Sequence, residues 1–230
     1  MDLNLGDYNQ KGLYLILEDK NVISLTEHHV ETTVKAFWED PTRIPLQVRR
    51  DADFLFCEIC PEKGTDGICY ALRPILPLVE IVDQYFSFDK VTAIFKGNEA
   101  QLLYISEASM QTALQYICIL SLMSYCRAGR KYGKYYDGVV PIMGVNEAVK
   151  RFYLNAYWIH RGNLDELKTF IAEFKGTISL ISKNLIKRLS LICKKDAFIN
   201  AFINMQVFTE FLSMDMEGVL KKTFNGAEKV

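Results

Sequence analysis

The sequence lacks the short motifs that identify the common enzyme classes. It contains no G-x-G-x-x-G, Walker A, G-x-S-x-G or H-E-x-x-H pattern, which would mark dinucleotide sites, phosphate-binding loops, serine hydrolases and zinc proteases. Asp89, Asp137 and Asp196 are isolated carboxylates, so spacing forces no pair together for acid–base catalysis. Asp196 is better placed to cap a helix. The sequence therefore favours a protein that is not an enzyme.

Signals for secretion or membrane insertion are also missing. The first seven residues carry two Asp and no basic side chain, unlike the start of a signal peptide. The longest nearly unbroken apolar run, Ala113 to Met123, includes a Gln and a Ser and is too short to span a bilayer. Neither end carries a lipidation signal. We therefore expect a cytoplasmic protein without membrane contact, whose six cysteines are thiols or metal ligands.

A strong net charge is absent as well. The formal charge is −1, which makes nucleic acid an unlikely general partner. Residues 1–115 hold 10 basic and 18 acidic side chains, and residues 116–230 hold 17 and 10, so the two parts carry −8 and +7. Such parts should attract within one chain or between two, which predicts a protein partner of unknown identity or a homodimer. Two solvated faces are the simpler interpretation.

What the sequence does contain is the composition of a globular protein, with half of its residues hydrophobic and a quarter charged. Three segments in the first part have the β-branched and apolar pattern of strands. These are Leu13–Leu17, Thr32–Trp38 and Pro45–Val48. We therefore predict a small β-rich N-terminal part over residues 1–56.

Residues 57–225, the cysteine-cluster and helical part, are predicted to form a mostly helical bundle with one β-hairpin. We expect this part to form one compact unit with the N-terminal part, which makes the fold class α+β. The hairpin spans Phe88–Ile94 and Gln101–Ile105, and the run from Leu114 to Cys126 predicts a helix buried on every side. A capping pattern at Asn163 opens another helix, which Gly176 should end. The last long helix opens at Asp196 and has a second apolar stripe, which is either core or a dimer surface.

Four cysteines are the sharpest local signal. Cys57 and Cys60 form a C-x-x-C pair, and Cys69 follows where a helix should begin, so three candidate metal ligands lie close in sequence. Cys126 is the predicted fourth ligand because it ends the apolar helix. Zn²⁺ held by four sulfurs would be structural, and an iron–sulfur cluster is the alternative. An unligated thiol cluster or a redox-active C-x-x-C pair stays open.

The other cysteines and the histidines are weaker candidates. Cys118 and Cys193 lie within apolar helical patterns, where cysteine usually acts as a small core hydrophobe. His28, His29 and His160 are each isolated from the C-x-x-C pair in sequence. We therefore rank these five residues below Cys57, Cys60, Cys69 and Cys126 as candidate metal ligands.

A basic and aromatic segment is the second candidate site. Arg127, Arg130, Lys131 and Lys134 alternate with three tyrosines, a combination that can hold an anionic ligand, a nucleotide or a single strand of nucleic acid. The near-neutral net charge favours a solvated loop between helices instead. This segment is predicted as the cofactor-binding site if an anionic ligand binds.

The chain resembles an uncharacterised bacterial family of deltaproteobacterial type, over roughly residues 50 to 225. The similarity rests on five segments, which are Cys57–Pro61, Cys69–Leu72, Ser87–Val91, Gln111–Cys126 and Leu191–Ala201. It implies that Cys57, Cys60, Cys69 and Cys126 act as a set, and it implies no activity.

The chain also departs from the family pattern at two places. Glu58 and Arg127 follow Cys57 and Cys126, at positions where the family often has proline, and the segment Asp137–Pro141 has no histidine where the family carries one. A role for that histidine therefore does not transfer to this chain.

Three functional hypotheses follow. The first is a non-enzymatic interaction or regulatory protein whose fold is held by a four-cysteine metal site. The second is a thiol-redox or iron–sulfur enzyme or sensor. The third is a module that binds an anionic ligand or a nucleotide at the basic and aromatic segment.

Overall fold

The structure is a computed structural model, and it describes residues 5–45, 57–61, 69–97, 103–214 and 216–227. It contains a small antiparallel sheet, formed largely near the N-terminus, followed by a mostly helical region. The predicted α+β class is therefore confirmed. Within the described ranges, no helix is long and apolar enough to cross a membrane.

Four antiparallel strands form the sheet. They are β1 (Gly12–Ile16), β2 (Val22–Thr26), β3 (Lys90–Lys96) and β4 (Leu103–Ser109), in the spatial order β2-β1-β3-β4. The predicted first strand and the predicted hairpin are confirmed, although β4 continues to Ser109 where helix was expected. Because β1 pairs with β3, the sheet combines residues from both sides of the predicted boundary at residue 56. That boundary itself stays a prediction.

Both faces of β1 are buried, because different layers cover them. Leu13 and Leu15 face the main core, whereas Tyr14 and Ile16 pack with Ile94 on the opposite face. This explains why β1 is apolar at successive positions instead of alternating with polar residues.

The predicted strand Thr32–Trp38 is wrong, because these residues belong to helix α1 (Glu27–Glu39). The Thr26 hydroxyl caps this helix by accepting a hydrogen bond from the His29 N–H at 3.3 Å. Val30 and Phe37 lie seven residues apart and face the core, so helical periodicity outweighs the β-branched composition of the segment. In the other predicted strand, residues 46–48 lie outside the described part, and Pro45 has no regular structure.

The remaining helices form the bundle. They are α2 (Leu76–Val82), α3 (Met110–Leu120), α4 (Val145–Ile159), α5 (Leu164–Leu189), α6 (Ala197–Met214) and α7 (Met216–Ala227). A π-helical segment, Ser121–Tyr125, continues α3 as far as Cys126, and a 3₁₀ segment spans Arg130–Tyr136. The predicted helix over Leu114–Cys126 is therefore partly π-helical, and some of its side chains are only half-buried.

Helix α5 begins where predicted but ends later. The Asn163 side chain accepts hydrogen bonds from the N–H groups of Asp165 and Glu166 at 3.2 and 3.3 Å, as the capping pattern predicted. Gly176 does not end the helix, because α5 runs unbroken to Leu189. Buried side chains on both sides of this glycine hold the helix against the core, and packing of this kind overrides a single weak helix former.

The helical core is rich in aromatic side chains. The Phe152 and Phe174 ring centroids lie 4.9 Å apart, and the ring of Tyr136 lies across Phe152 at 5.3 Å. Helix α6 lies between α3 and α5, and Phe202 on α6 is fully buried. The C-terminal end of the π-helical segment, at Cys126, meets the C-terminal half of α5 at Ile181, where the cysteine site lies.

Candidate cysteine site

Four cysteines from three separate segments line one small cavity. Cys57 and Cys60 come from a turn closed by the hydrogen bond from the Cys60 N–H to the Cys57 carbonyl at 2.9 Å. Cys69 precedes the 3₁₀ turn Tyr70–Leu72, and Cys126 directly follows the π-helical segment. With Ile181 of α5, these cysteines enclose about 20 Å³, enough for one water-sized atom. The structure thus places the four predicted ligands around one cavity.

Hydrogen-bond donors partly offset the effect of burial on the pKa of three of the four cysteines. The backbone at Ala71 and Leu72 acts to lower the pKa of Cys69, and the backbone at the same spacing, at Ala128 and Gly129, acts to lower that of Cys126. The side chain of Asn184 on α5 acts in the same direction on Cys57. Donors to sulfur stabilise the thiolate form, which is the form that binds metals.

Burial opposes ionisation of the same thiols. It raises the pKa of Cys57 to about 12 and that of Cys126 to about 11, and it also raises the pKa of Cys69. The neighbouring cysteines raise these pKa values further, whereas the positive charge of Arg188 lowers those of Cys57 and Cys69. Without a bound cation, Cys57, Cys69 and Cys126 are therefore protonated thiols at neutral pH.

A stack of cations and aromatic rings joins the Cys69 turn to the Cys126 turn. The guanidinium groups of Arg73 and Arg127 each lie 4.3 Å from the centroid of the Tyr70 ring, an attractive geometry. The Ser121 hydroxyl donates to the carbonyl oxygen of Ala71 at 2.5 Å. Two segments some fifty residues apart in sequence are thus fastened together beside the cavity.

Gly129 permits the close approach that shapes the Cys126 turn. A Cβ atom at this position would lie 2.3 Å from the carbonyl oxygen of Leu122, far inside van der Waals contact. Glycine therefore lets the chain fold back so that the backbone at residue 129 acts to lower the pKa of Cys126. In the sequence this glycine indicated only the exit from a helix.

Sequence reasoning missed the contribution of α5. Ile181, Asn184 and Arg188 recur at intervals of three and four residues, so they share one face of the helix. Ile181 forms part of the cavity wall, and the side chain of Asn184 acts on the pKa of Cys57. Arg188, which is only 2% exposed, places its positive charge beside the same cysteine. An Asn and an Arg at helical spacing inside an apolar stripe were the only sign of this face in the sequence, and their burial depends on how α5 packs.

The residues judged weaker do not line this cavity. Cys118 is fully buried in α3, and Cys193 lies in the turn after α5 instead of within a helix. His28 and His29 are exposed on α1, and His160 lies at the end of α4, where its Nε2 is 3.2 Å from the Tyr135 hydroxyl.

The four cations of the basic and aromatic segment lie in different surroundings. Arg127 lines the cysteine cavity, Arg130 is exposed, and the Lys131 ammonium pairs with Glu173 at 2.6 Å. The Lys134 ammonium lies 5.2 Å from the centroid of the Tyr135 ring. The three tyrosines of the segment are buried in the core, so they are not available to stack on a nucleotide base. An anionic ligand here stays a prediction.

A metal site would require rearrangement of the cysteine side chains. Across the ranges that the structure describes, no three His, Cys, Asp or Glu side chains are arranged so that they could hold a metal ion as they stand. Zn²⁺ needs sulfur atoms at about 2.3 Å, so the thiols would have to lose their protons and turn inward to the cavity centre.

Comparisons with known proteins give one result. A family model described as a domain of unknown function, DUF6901, matches residues 15–225. Searches of curated proteins and of solved structures each gave no significant match. The match supports the resemblance to an uncharacterised family, while the bacterial origin and the cysteine signature stay predictions. Because the matched residues make up most of the chain, the protein belongs to the DUF6901 family.

Proposed function

We propose that this protein is a non-enzymatic interaction or regulatory protein whose fold is fastened by one Zn²⁺ ion. The ligands would be Cys57, Cys60, Cys69 and Cys126. The observation that carries the proposal is the shared cavity, because these cysteines come from three separate segments and still line one space. Cysteines that were buried only as core hydrophobes would have no reason to line the same cavity.

The size of the cavity favours a single ion over a cluster. About 20 Å³ accommodates one atom of the size of water, whereas an iron–sulfur cluster contains several metal and sulfide atoms. Four thiolates around Zn²⁺ carry a net charge of −2, and the buried cation of Arg188 beside them partly offsets it. Zinc is therefore our first choice, and an iron–sulfur cluster is the alternative.

The expected role of the metal is structural. Four sulfur ligands complete the tetrahedral shell of zinc and leave no open position for a substrate or water. The ion would connect the Cys57 turn and the Cys69 turn to the end of the π-helical segment. Because the unfolded chain offers no such site, the free energy of zinc binding would add to the stability of the fold.

Metal analysis of protein purified without added metal tests the proposal. We expect about one equivalent of zinc per chain and a colourless protein. Cys69→Ser and Cys126→Ser should each lose most of the zinc, whereas Cys193→Ser is the matched control and should keep it. Less than about a tenth of an equivalent of any metal would contradict the proposal.

Two other outcomes would favour the redox hypothesis instead. A brown protein with iron and acid-labile sulfide would identify a cluster. Reversible conversion of Cys57 and Cys60 between dithiol and disulfide, in metal-free protein, would identify a redox-active pair. The raised pKa of Cys57 makes the second outcome the less expected one, because the thiolate is the reactive form.

A further inference from the structure

A second cavity, of about 320 Å³, lies between α3, α6 and the loop 137–144. It shares no lining residue with the cysteine cavity. Its volume falls within the range of about 300 to 1,000 Å³ that is usual for small-molecule sites. Most of its wall is apolar, formed by side chains that include Ile119, Val140, Ile142, Met205, Phe208 and Phe211.

Polar side chains interrupt this wall at a few points. Gln115 reaches it from α3 and Asn204 from α6, and both are half-buried. Within the described ranges neither amide makes a hydrogen bond to the protein, whereas Thr112 bonds the hydroxyl of Ser109 at 2.9 Å. Both amides are therefore available to a ligand, and each offers both a donor and an acceptor. The hydroxyl of Tyr136, which also lines the cavity, is buried and has no hydrogen-bond partner among the described residues.

The charge of the wall limits the ligand further. No Asp, Glu, Lys, Arg or His is among the residues that line the cavity. A charged ligand group would lose its hydration there without gaining an opposite charge, which is costly. The ligand should therefore be neutral.

We propose that this cavity binds an uncharged amphiphile, with a medium-chain apolar body and one hydroxyl or carbonyl group. The apolar body would lie against Phe208 and Met205, and the polar group would bond the amides of Gln115 and Asn204. Val207 and Phe211 are 44% and 41% exposed, and they line the cavity where it opens to solvent. This site is independent of the proposed metal site.

Displacement of a neutral fluorescent probe, N-phenyl-1-naphthylamine, tests the proposal on the full-length protein. We expect saturable binding of about one probe per chain, as for other pre-formed apolar pockets. 1-Octanol should displace the probe, and octanoate should be at least about tenfold weaker because its carboxylate must be desolvated. Equal displacement by both compounds, or probe fluorescence that does not saturate, would overturn the proposal.

Variants of cavity residues test whether the probe and 1-octanol bind in this cavity. Val207→Trp, at an exposed position, should block the cavity and remove saturable probe binding, and Phe88→Ala is the control because Phe88 is exposed and outside the cavity. Replacing Gln115 and Asn204 together by Leu should weaken 1-octanol by about five- to tenfold, the loss expected for one or two neutral hydrogen bonds. Unchanged 1-octanol affinity in this double variant would refute the role of the amides.

A second copy of the chain is the competing occupant of this face. Ile203, Val207, Phe211 and Met214 form an exposed apolar stripe along α6, which the sequence had marked as either core or a dimer surface. Light scattering should show a monomer that binds the probe. A dimer that fails to bind the probe until Ile203→Glu dissociates it would assign the face to self-association and overturn the ligand proposal.

Discussion

Replacing Gly176 by Ala should stabilise the protein. This glycine lies in the interior of α5, is exposed, and has no atom within 4 Å of where a Cβ would be. Alanine therefore adds no clash, and it removes the backbone entropy cost that makes glycine unfavourable in a helix. We expect the free energy of unfolding to rise by about 0.5 to 1 kcal/mol, which corresponds to about 1 to 4 °C in Tm for a chain of this size.

Chemical and thermal unfolding, followed by circular dichroism at 222 nm, measure this effect. Ala172→Gly is the matched control, since Ala172 is exposed on the same helix one turn earlier, and it should lower stability by a similar amount. The double variant should return close to the stability of the original chain. If Gly176→Ala lowers stability, residue 176 needs a left-handed backbone, α5 ends there, and our account of the helix is wrong.

Three further predictions concern the cysteine site and its surroundings. Gly129→Ala should destabilise the protein by more than about 2 kcal/mol, since its Cβ would clash with a backbone oxygen, and metal analysis should show less bound zinc. Arg188→Met should lose zinc to a chelator faster than the exposed control Lys187→Met, because a buried cation no longer offsets the thiolates. Asp196→Ala should cost about 1 to 3 kcal/mol at pH 7, because it removes the bonds from the Ser87 N–H and hydroxyl, both 2.8 Å long. Burial of Asp196 raises its pKa, but the hydrogen bonds from Ser87, from its own backbone N–H and from Asn200 outweigh this and leave the pKa lowered. The contribution should therefore be full above about pH 5, where the unfolded carboxyl is also ionised, and should disappear as the pH falls through the lowered pKa. Denaturant unfolding at several pH values checks this, and a difference independent of pH would contradict it.

The sequence predicted the helix starts better than the helix interiors. Asn163 was recognised as a cap because capping depends on side chains within three residues of each other. Gly176 misled the prediction because its effect depends on contacts made by Phe174 and Ile178, both buried on the core side of α5. Similarly, Thr32 and Thr33 suggested a strand, whereas the buried Val30 and Phe37 hold the segment as a helix.

The candidate site was predictable in its ligand types but not in its surroundings. The spacing of Cys57, Cys60 and Cys69 limits where these three can lie, and the position of Cys126 at the end of the apolar helix suggested it as the fourth ligand. The burial of Arg188 beside the cysteines was not predicted. The surroundings of Arg188 depend on how α5 packs against segments that are distant in the sequence. Such packing is not encoded in a local sequence pattern.

The π-helical segment Ser121–Tyr125 determines the direction in which the chain leaves the core. A wider turn accommodates one residue more than an α-helical turn does, and each residue rotates the following side chain by about 100°. Deleting one residue from this segment should therefore turn the Cys126 side chain away from Cys57, Cys60 and Cys69, although the chain would still contain all four cysteines. Loss of zinc from such a deletion variant, with the helical content retained, would show that the phase of one helix decides whether the four cysteines act together.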